Sequence, residues 1–344
     1  WLSRVPGGLA CGTILACAGF GAICGSTSAT AATMGSIAIP EMKKYGYSDE
    51  LATGSISIGG TLGIMIPPST PMIIYGIIAE VSIGRLFAAG ILPGLLLSLL
   101  YIMTVVIQVK RNPSLAPTGE TYTLKEKLAS LKDLFSMFIL FLGVFFGMFS
   151  GLFTINEAAA FGSFLAFIIL IVKGRFNMEN LYGILFDTVK TTAMAYLMLI
   201  GATVFGNFLA ITRLPMSLAS FIGGLDVSRY VIFAFIVLIY AVLGMLMDAL
   251  PMIMLTVPIF YPIILRLGFD PIWFGVVIIM AMSLGLITPP VGINCFIISS
   301  IAKDVPLSRI FKGAIPFTIA VLLGIIIVTI FPGLATWIPN LIYG

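Results

Sequence analysis

The sequence predicts an all-α polytopic membrane protein made of two inverted repeats, each a re-entrant helical hairpin followed by a broken helix. Three observations carry this expectation. First, the 344 residues are 60% hydrophobic and 9% charged, with a mean hydropathy of +1.15, whereas soluble domains are about a quarter charged. Second, residues 20–80 match, weakly but without a gap, the segment 222 positions later. Gly63-Ile64-Met65-Ile66-Pro67-Pro68 answers to Gly285-Leu286-Ile287-Thr288-Pro289-Pro290, and Pro40, Gly46 and Tyr47 answer to Pro262, Gly268 and Phe269. After a two-residue slip Val81, Arg85 and Phe87 match Val305, Arg309 and Phe311. Third, both copies centre on a proline pair inside an apolar stretch. Matching helix breaks in the two halves of a membrane chain point to a binding site near the bilayer midplane.

The elements follow in order. A hairpin is expected at 7–42, because apolar Cys11 to Ile23 meets the small polar run Gly25-Ser26-Thr27-Ser28-Ala29-Thr30-Ala31 and then returns through Met34 to Ile39. A broken helix at 49–79 is interrupted at Pro67-Pro68, and a span follows at 86–109. Spans at 133–150, 155–173 and 186–210 come next, several long enough for the ~20 apolar residues that cross a bilayer core. The second hairpin is placed at 230–265, the second broken helix at 271–301 and a last span at 308–331. The connector from Lys110 to Lys132, with Asn112-Pro113 and Pro117, has room for an amphipathic surface helix. This divides the chain into a first transport repeat (1–85), scaffold helices with the connector (86–228), a second transport repeat (229–303) and a C-terminal scaffold helix (304–344). A start at Trp1, close to the first hairpin, reads as the C-terminal part of a longer protein.

Basic residues set orientation. With the ends of the first hairpin in the cytoplasm, Arg4, Lys43, Lys44, Lys110, Arg111, Lys125, Lys127, Lys132, Lys173, Arg175, Lys190, Lys303, Arg309 and Lys312 fall inside, against Arg85, Arg213, Arg229 and Arg266 outside. Such a bias is what the positive-inside rule demands. Five crossings between the hairpins turn the second repeat upside down relative to the first. The net charge of +4 is thereby explained by topology, not by nucleic-acid binding.

With no histidine, the commonest zinc ligand and the usual general base are missing, which excludes a zinc protease or a His-based hydrolase. Cys11, Cys17, Cys24 and Cys295 show no CxxC spacing and read as reduced packing residues. Glu157 reads as a first-turn helix acid.

The chemistry is expected at the tips and breaks. Pro67-Pro68 and Pro289-Pro290 remove backbone donors and push Ile66 and Thr288 toward extended backbone, freeing carbonyls that hydrocarbon cannot satisfy. Hard oxygens of this kind suit a sodium ion. The candidate sodium ligands are Ser26, Gly63, Ile66 and Ser69 in the first half and Gly244, Gly285, Thr288 and Val291 in the second, the glycines and apolar residues through their carbonyls. Candidate substrate contacts are Ser26, Thr27, Ser28, Thr70, Asp248 and Asn294. Asp248 aligns with Ser26 by the same offset, and an acid in an apolar hairpin is costly and usually functional. The alternatives stay open: close helix packing for the small polar run, a structural kink at the prolines, an N-cap role for Asp248, and for Asn294 a seal on the unwound backbone.

Taken together, Pro6-Gly7-Gly8-Leu9-Ala10, the tip run from Gly25, Ile39-Pro40-Glu41-Met42-Lys43-Lys44-Tyr45-Gly46-Tyr47, Gly60 to Ser69, Glu157-Ala158-Ala159-Ala160 and Leu286 to Asn294 resemble the large membrane subunit of tripartite ATP-independent periplasmic transporters, the DctM-like permeases. The resemblance covers essentially the whole chain. It implies an elevator-type ion transporter fold and uptake of an organic acid, such as sialic acid or a C4-dicarboxylate, driven by two or more Na+ ions and with no organic cofactor. It further implies a small four-helix membrane subunit, separate or fused N-terminally, a periplasmic substrate-binding protein, and a multi-pass location in the bacterial inner membrane. Where the family has serine before the tip glycine, this chain has Cys24, so Ser26 and backbone carbonyls must supply the oxygens there. A sodium-coupled elevator working without a binding protein and a passive channel are the competing readings. An intramembrane enzyme fails for want of a nucleophile and base pair.

Overall fold

The computed structural model describes residues 2–117, 124–223 and 227–344. Every element among them is helical. The chain forms two compact units, one of Trp1–Thr121 with Leu209–Gly344 and one of Tyr122–Phe208.

The larger unit begins with the hairpin α1 (Gly8–Cys24) and α2 (Thr27–Lys44), then α3 (Asp49–Gly59), α4 (Leu62–Met65) and α5 (Thr70–Ile78). The axis bends by 41° between α3–α4 and α5, so the first broken helix is present. The long helix α6 (Ile83–Arg111) and a 3-10 turn at Pro113–Leu115 follow. In the smaller unit, α7 (Leu124–Phe149) and α8 (Ile155–Val172) form a hairpin and precede α9 (Met178–Thr212). The larger unit resumes with α10 (Leu214–Gly223), the hairpin α11 (Arg229–Gly244) and α12 (Ala249–Arg266), then α13 (Pro271–Gly285), α14 (Ile293–Ile301), α15 (Leu307–Ile330) and α16 (Gly333–Tyr343). By length and hydropathy α6, α9, α12 and α15 can each cross a membrane.

The duplication read from the sequence reappears in the geometry. Helices α2 and α12 start and stop at positions that the repeat pairs, Thr27 with Ala249 and Lys44 with Arg266. Ser48 caps α3 by accepting from Leu51 N, and its counterpart Asp270 caps α13 by accepting from Trp273 N. Gly46 and Gly268 both take positive φ, 75° and 72°, and close the preceding helices with the same bonds. Tyr47 N donates to Met42 O at 3.0 Å, and Phe269 N to Ile264 O at 3.2 Å. Beyond the slip, α6 and α15 begin at the equivalent positions Ile83 and Leu307. Equal turn chemistry at equal spacing has produced equal backbone.

Two features differ from the expectations. The short helices α10 and α16 were not foreseen, and α7 begins at Leu124 rather than at 133, taking Leu124–Lys132 into the helix. Of the connector, residues 118–123 lie outside the described residues, as do the side chains of Lys125, Lys127 and Lys132. Helices α6 and α15, which the sequence reading gave to the scaffold, pack against the broken helices. A Cβ at Gly54 on α3 would meet the Gly313 carbonyl oxygen of α15 at 2.3 Å, and Gly90 of α6 sits on the Met65 carbonyl.

Within the smaller unit, Phe141 stacks on Phe145 at 4.3 Å along α7, and Phe153 packs on Phe161 at 5.0 Å. Thr154 and Glu157 form a reciprocal capping box at the start of α8, which satisfies backbone donors that a helix start leaves free. This is the first-turn role expected of Glu157. Much of this unit's apolar surface, including Phe164, Val189 and Leu197, is exposed, as in helices whose solvent is lipid.

The candidate site at the hairpin tips and helix breaks

Each break lies against a hairpin tip. In the first repeat Gly25 turns the chain with φ 61°, and a Cβ there would meet the Pro68 carbonyl oxygen at 3.1 Å and the Thr70 hydroxyl at 3.3 Å. Ser26 caps α2 by accepting from Ala29 N at 3.4 Å. Its carbonyl accepts from the Thr30 hydroxyl at 2.7 Å and lies so close to Gly63 that a side chain at 63 would meet it at 2.8 Å. Ser26, Gly63 and Thr70 are thus brought together, with Thr27 on the buried first turn of α2 and Ser28 beside it. Ile66 is extended, φ −86° and ψ 124°, as the residue before a proline should be.

The second repeat repeats the arrangement. Gly244 and Gly285 pack backbone to backbone, and a Cβ on Gly285 would come within 2.5 Å of the Gly244 Cα. Val291 N donates to the Met245 carbonyl of the tip at 3.2 Å. Thr288 turns its hydroxyl onto Leu284 O of its own helix at 2.6 Å. The Pro67–Pro68 and Pro289–Pro290 bonds are both cis.

The freed carbonyls find equivalent solutions. In a continuous helix Ile64 O and Leu286 O, which the repeat pairs, would receive the N–H groups of Pro68 and Pro290, which prolines lack. Ser69 Oγ donates to Ile64 O at 2.6 Å, and Asn294 N donates to Leu286 O at 3.1 Å. Ser69 also caps α5 and is fully buried. Its hydroxyl thus keeps one lone pair free of these two bonds.

Asp248 is partly buried, and its Oδ1 accepts from Ala249 N at 2.8 Å, so the capping alternative is realised. Asn294 crosses between the repeats. It is fully buried, its Nδ2 donates to Ser57 O of α3 at 2.9 Å, and its Oδ1 is buried without a hydrogen-bond partner. A Cβ on Gly60 would touch both Asn294 Nδ2, at 3.1 Å, and Thr27 O, at 3.2 Å, which joins Asn294 to the first tip. Sequence reasoning passed over Thr30 and the Ser57 carbonyl. Thr30 sits one helical turn after Ser26, a spacing visible in the sequence, but which hydroxyl of the run turns inward is a packing outcome. Cys11, Cys17 and Cys295 are buried and free, whereas Cys24, also free, is exposed beside the first tip.

Among the described residues no three acidic, cysteine or histidine side chains gather; the oxygens at the first tip are hydroxyls and carbonyls, and the second adds the Asp248 carboxylate. Residues 2–334 match the family described as the tripartite ATP-independent periplasmic transporter, DctM component. The chain belongs to this family. The permease is 36% identical over 340 residues to the C4-dicarboxylate TRAP transporter large permease protein DctM of Pseudomonas aeruginosa, covering 98% of this chain and 79% of that protein. It is 32% identical over 345 residues to the sialic acid TRAP transporter large permease protein SiaM of Vibrio cholerae, covering 100% of this chain and 80% of that one. Against the isethionate TRAP transporter permease protein DctMQ of Oleidesulfovibrio alaskensis it is 33% identical over 329 residues, 95% of this chain but 51% of that protein. The permease is accordingly a multi-pass membrane protein and a transporter component, not an enzyme.

Proposed function

We propose that the permease carries out sodium-coupled secondary uptake of an organic acid handed over by a periplasmic binding protein, within a complex that includes a small four-helix membrane subunit in the bacterial inner membrane. One observation supports this above the others: two helix breaks, related by the repeat, each with a hairpin tip packed on it and carbonyl and hydroxyl oxygens converging there. Unwound backbone near the midplane is the recurrent ion and substrate site of secondary transporters. In this reading Ser26, Gly63, Ile66 and Ser69 hold one sodium ion, and Gly244, Gly285, Thr288 and Val291 another. Thr27, Ser28, Thr70, Asp248 and Asn294 face the anion together with Ser26. The relatives named above carry C4-dicarboxylate, sialic acid and isethionate, all small organic acids, and that class is the proposed substrate.

The body that moves in the elevator step contains both hairpins and both broken helices. We assign α6 and α15 to it as well, because backbone-on-backbone contacts such as Gly54 on Gly313 leave no room for sliding. The test is uptake into proteoliposomes by the full complex with its binding protein. Accumulation should collapse with the sodium gradient, and uptake indifferent to sodium would end the coupling proposal.

A further inference from the structure

Arg85 and Arg309 are equivalent residues of the two repeats, in the first turns of α6 and α15. Arg309 is answered by Asp49 Oδ2 at 3.5 Å and Glu50 Oε1 at 3.7 Å, both in the first turn of α3. On α13 the positions equivalent to those acids are Pro271 and Ile272. Among the described residues Arg85 makes no ion pair. Its Nη2 donates to Asn340 Oδ1 at 3.2 Å, and its Nε is buried without a partner. A buried, unanswered guanidinium N–H is costly in a protein interior.

Arg85 lines a cavity of about 270 Å³ with Ser82, Asp270, Thr336 and Asn340. This is slightly below the roughly 300 Å³ at which small-ligand sites begin. One wall is cationic and another anionic, and Asp270 and Arg85 are not paired with each other. Beside the cavity, α16 turns Ala335 and Pro339 inward and exposes Trp337 (61%) and Leu341 (71%) one turn apart, a stripe suited to the membrane interface. It is seated on α6 by the Tyr343 hydroxyl, which packs against Gly84.

The geometry points to a lipid headgroup site: the cavity takes a zwitterionic aminophospholipid, phosphate on Arg85, ammonium on Asp270, acyl chains along Trp337 and Leu341. A simple anion would gain Arg85 but meet Asp270, and a zwitterion satisfies both walls. Ser82 and Asn340 add hydrogen-bond donors for the phosphate oxygens, whereas the Thr336 hydroxyl donates to Pro332 O at 3.2 Å. This site is independent of the transport reading.

Native mass spectrometry of the intact purified transporter tests it, with phosphatidylethanolamine, phosphatidylcholine, phosphatidylglycerol or inorganic phosphate added in turn. The wild type should retain one phosphatidylethanolamine, and Arg85→Gln should lower that retention about tenfold, the scale of losing a hydrogen bond to a charged group. Asp270→Asn keeps the α13 cap, since asparagine caps as well as aspartate, and should shift preference from phosphatidylethanolamine to phosphatidylglycerol. Equal retention by a folded Arg85→Gln protein, or displacement of the lipid by inorganic phosphate, overturns the site. If Arg85→Gln does not fold, Asp270→Asn decides alone, and an unchanged lipid preference in it refutes the proposal.

Discussion

Replacing Gly285 by alanine probes the contact on which the second tip rests. The new methyl would lie 2.4 Å from Gly244 C, 2.5 Å from its Cα and 2.6 Å from Ala241 O, whereas ordinary contact begins at 3.4 Å. Helices α11 and α13 must therefore separate by about 1.0 Å, the difference between 3.4 and 2.4 Å. All three neighbours are backbone atoms, so no rotamer change relieves the clash. Overpacking a core costs about 1–3 kcal/mol, and a backbone clash belongs at the upper end. Alanine's advantage over glycine in a helix returns about 0.5–1 kcal/mol, leaving a net loss of about 2 kcal/mol. Gly183→Ala is the control, because nothing lies within 4 Å of a Cβ there, and it should be neutral or slightly stabilising. Thermal unfolding of the purified protein, paired with uptake in proteoliposomes, reads both effects. If Gly285→Ala melts with the control and transports normally, the tip is not seated on the break as described.

Gly63→Ala should cost less, about 1 kcal/mol, since its clashes are at 2.8 Å and one is with the rotatable Thr30 hydroxyl; a thermal shift as large as that of Gly285→Ala would contradict this. Asn294→Leu leaves Ser57 O unanswered and should destabilise by about 1–3 kcal/mol, measured by denaturation beside Asn294→Gln. Asp248→Asn retains the cap and removes the charge: a changed substrate affinity with unchanged melting is expected from the substrate-facing role, and unchanged transport kinetics would leave Asp248 as a cap alone. The Lys43 ammonium, hydrogen-bonded to the exposed Asp304, holds that carboxyl below its ordinary value. A depressed carboxylate contributes stability above its unfolded pKa and loses it as pH falls through the folded one, so the small melting difference between wild type and Asp304→Asn should be flat from about pH 5 to 8 and vanish in stronger acid. A difference that instead grows with acidification would contradict the pairing.

The repeat, both tips and both breaks were legible because their causes are local. A proline lacks its donor whatever surrounds it, glycines at 46 and 268 permit the same turn, and Ser48 and Asp270 cap the helices that follow them. Helices α10 and α16 were missed because they are short and carry proline, so that neither length nor pattern separates them from loop. Asn294 was placed beside its own break by the sequence, yet its side chain reaches α3 of the other repeat.

Order along the chain, the pairing of the two copies and the class of oxygen donors were thus determined by composition and spacing alone, because backbone donors and turn conformations belong to single residues. Tertiary packing alone decided which hydroxyl faces which carbonyl, that α6 and α15 lie on the broken helices, and that Arg309 finds acids while Arg85 faces a cavity. These depend on how closely two backbones approach, a distance set by every side chain between them.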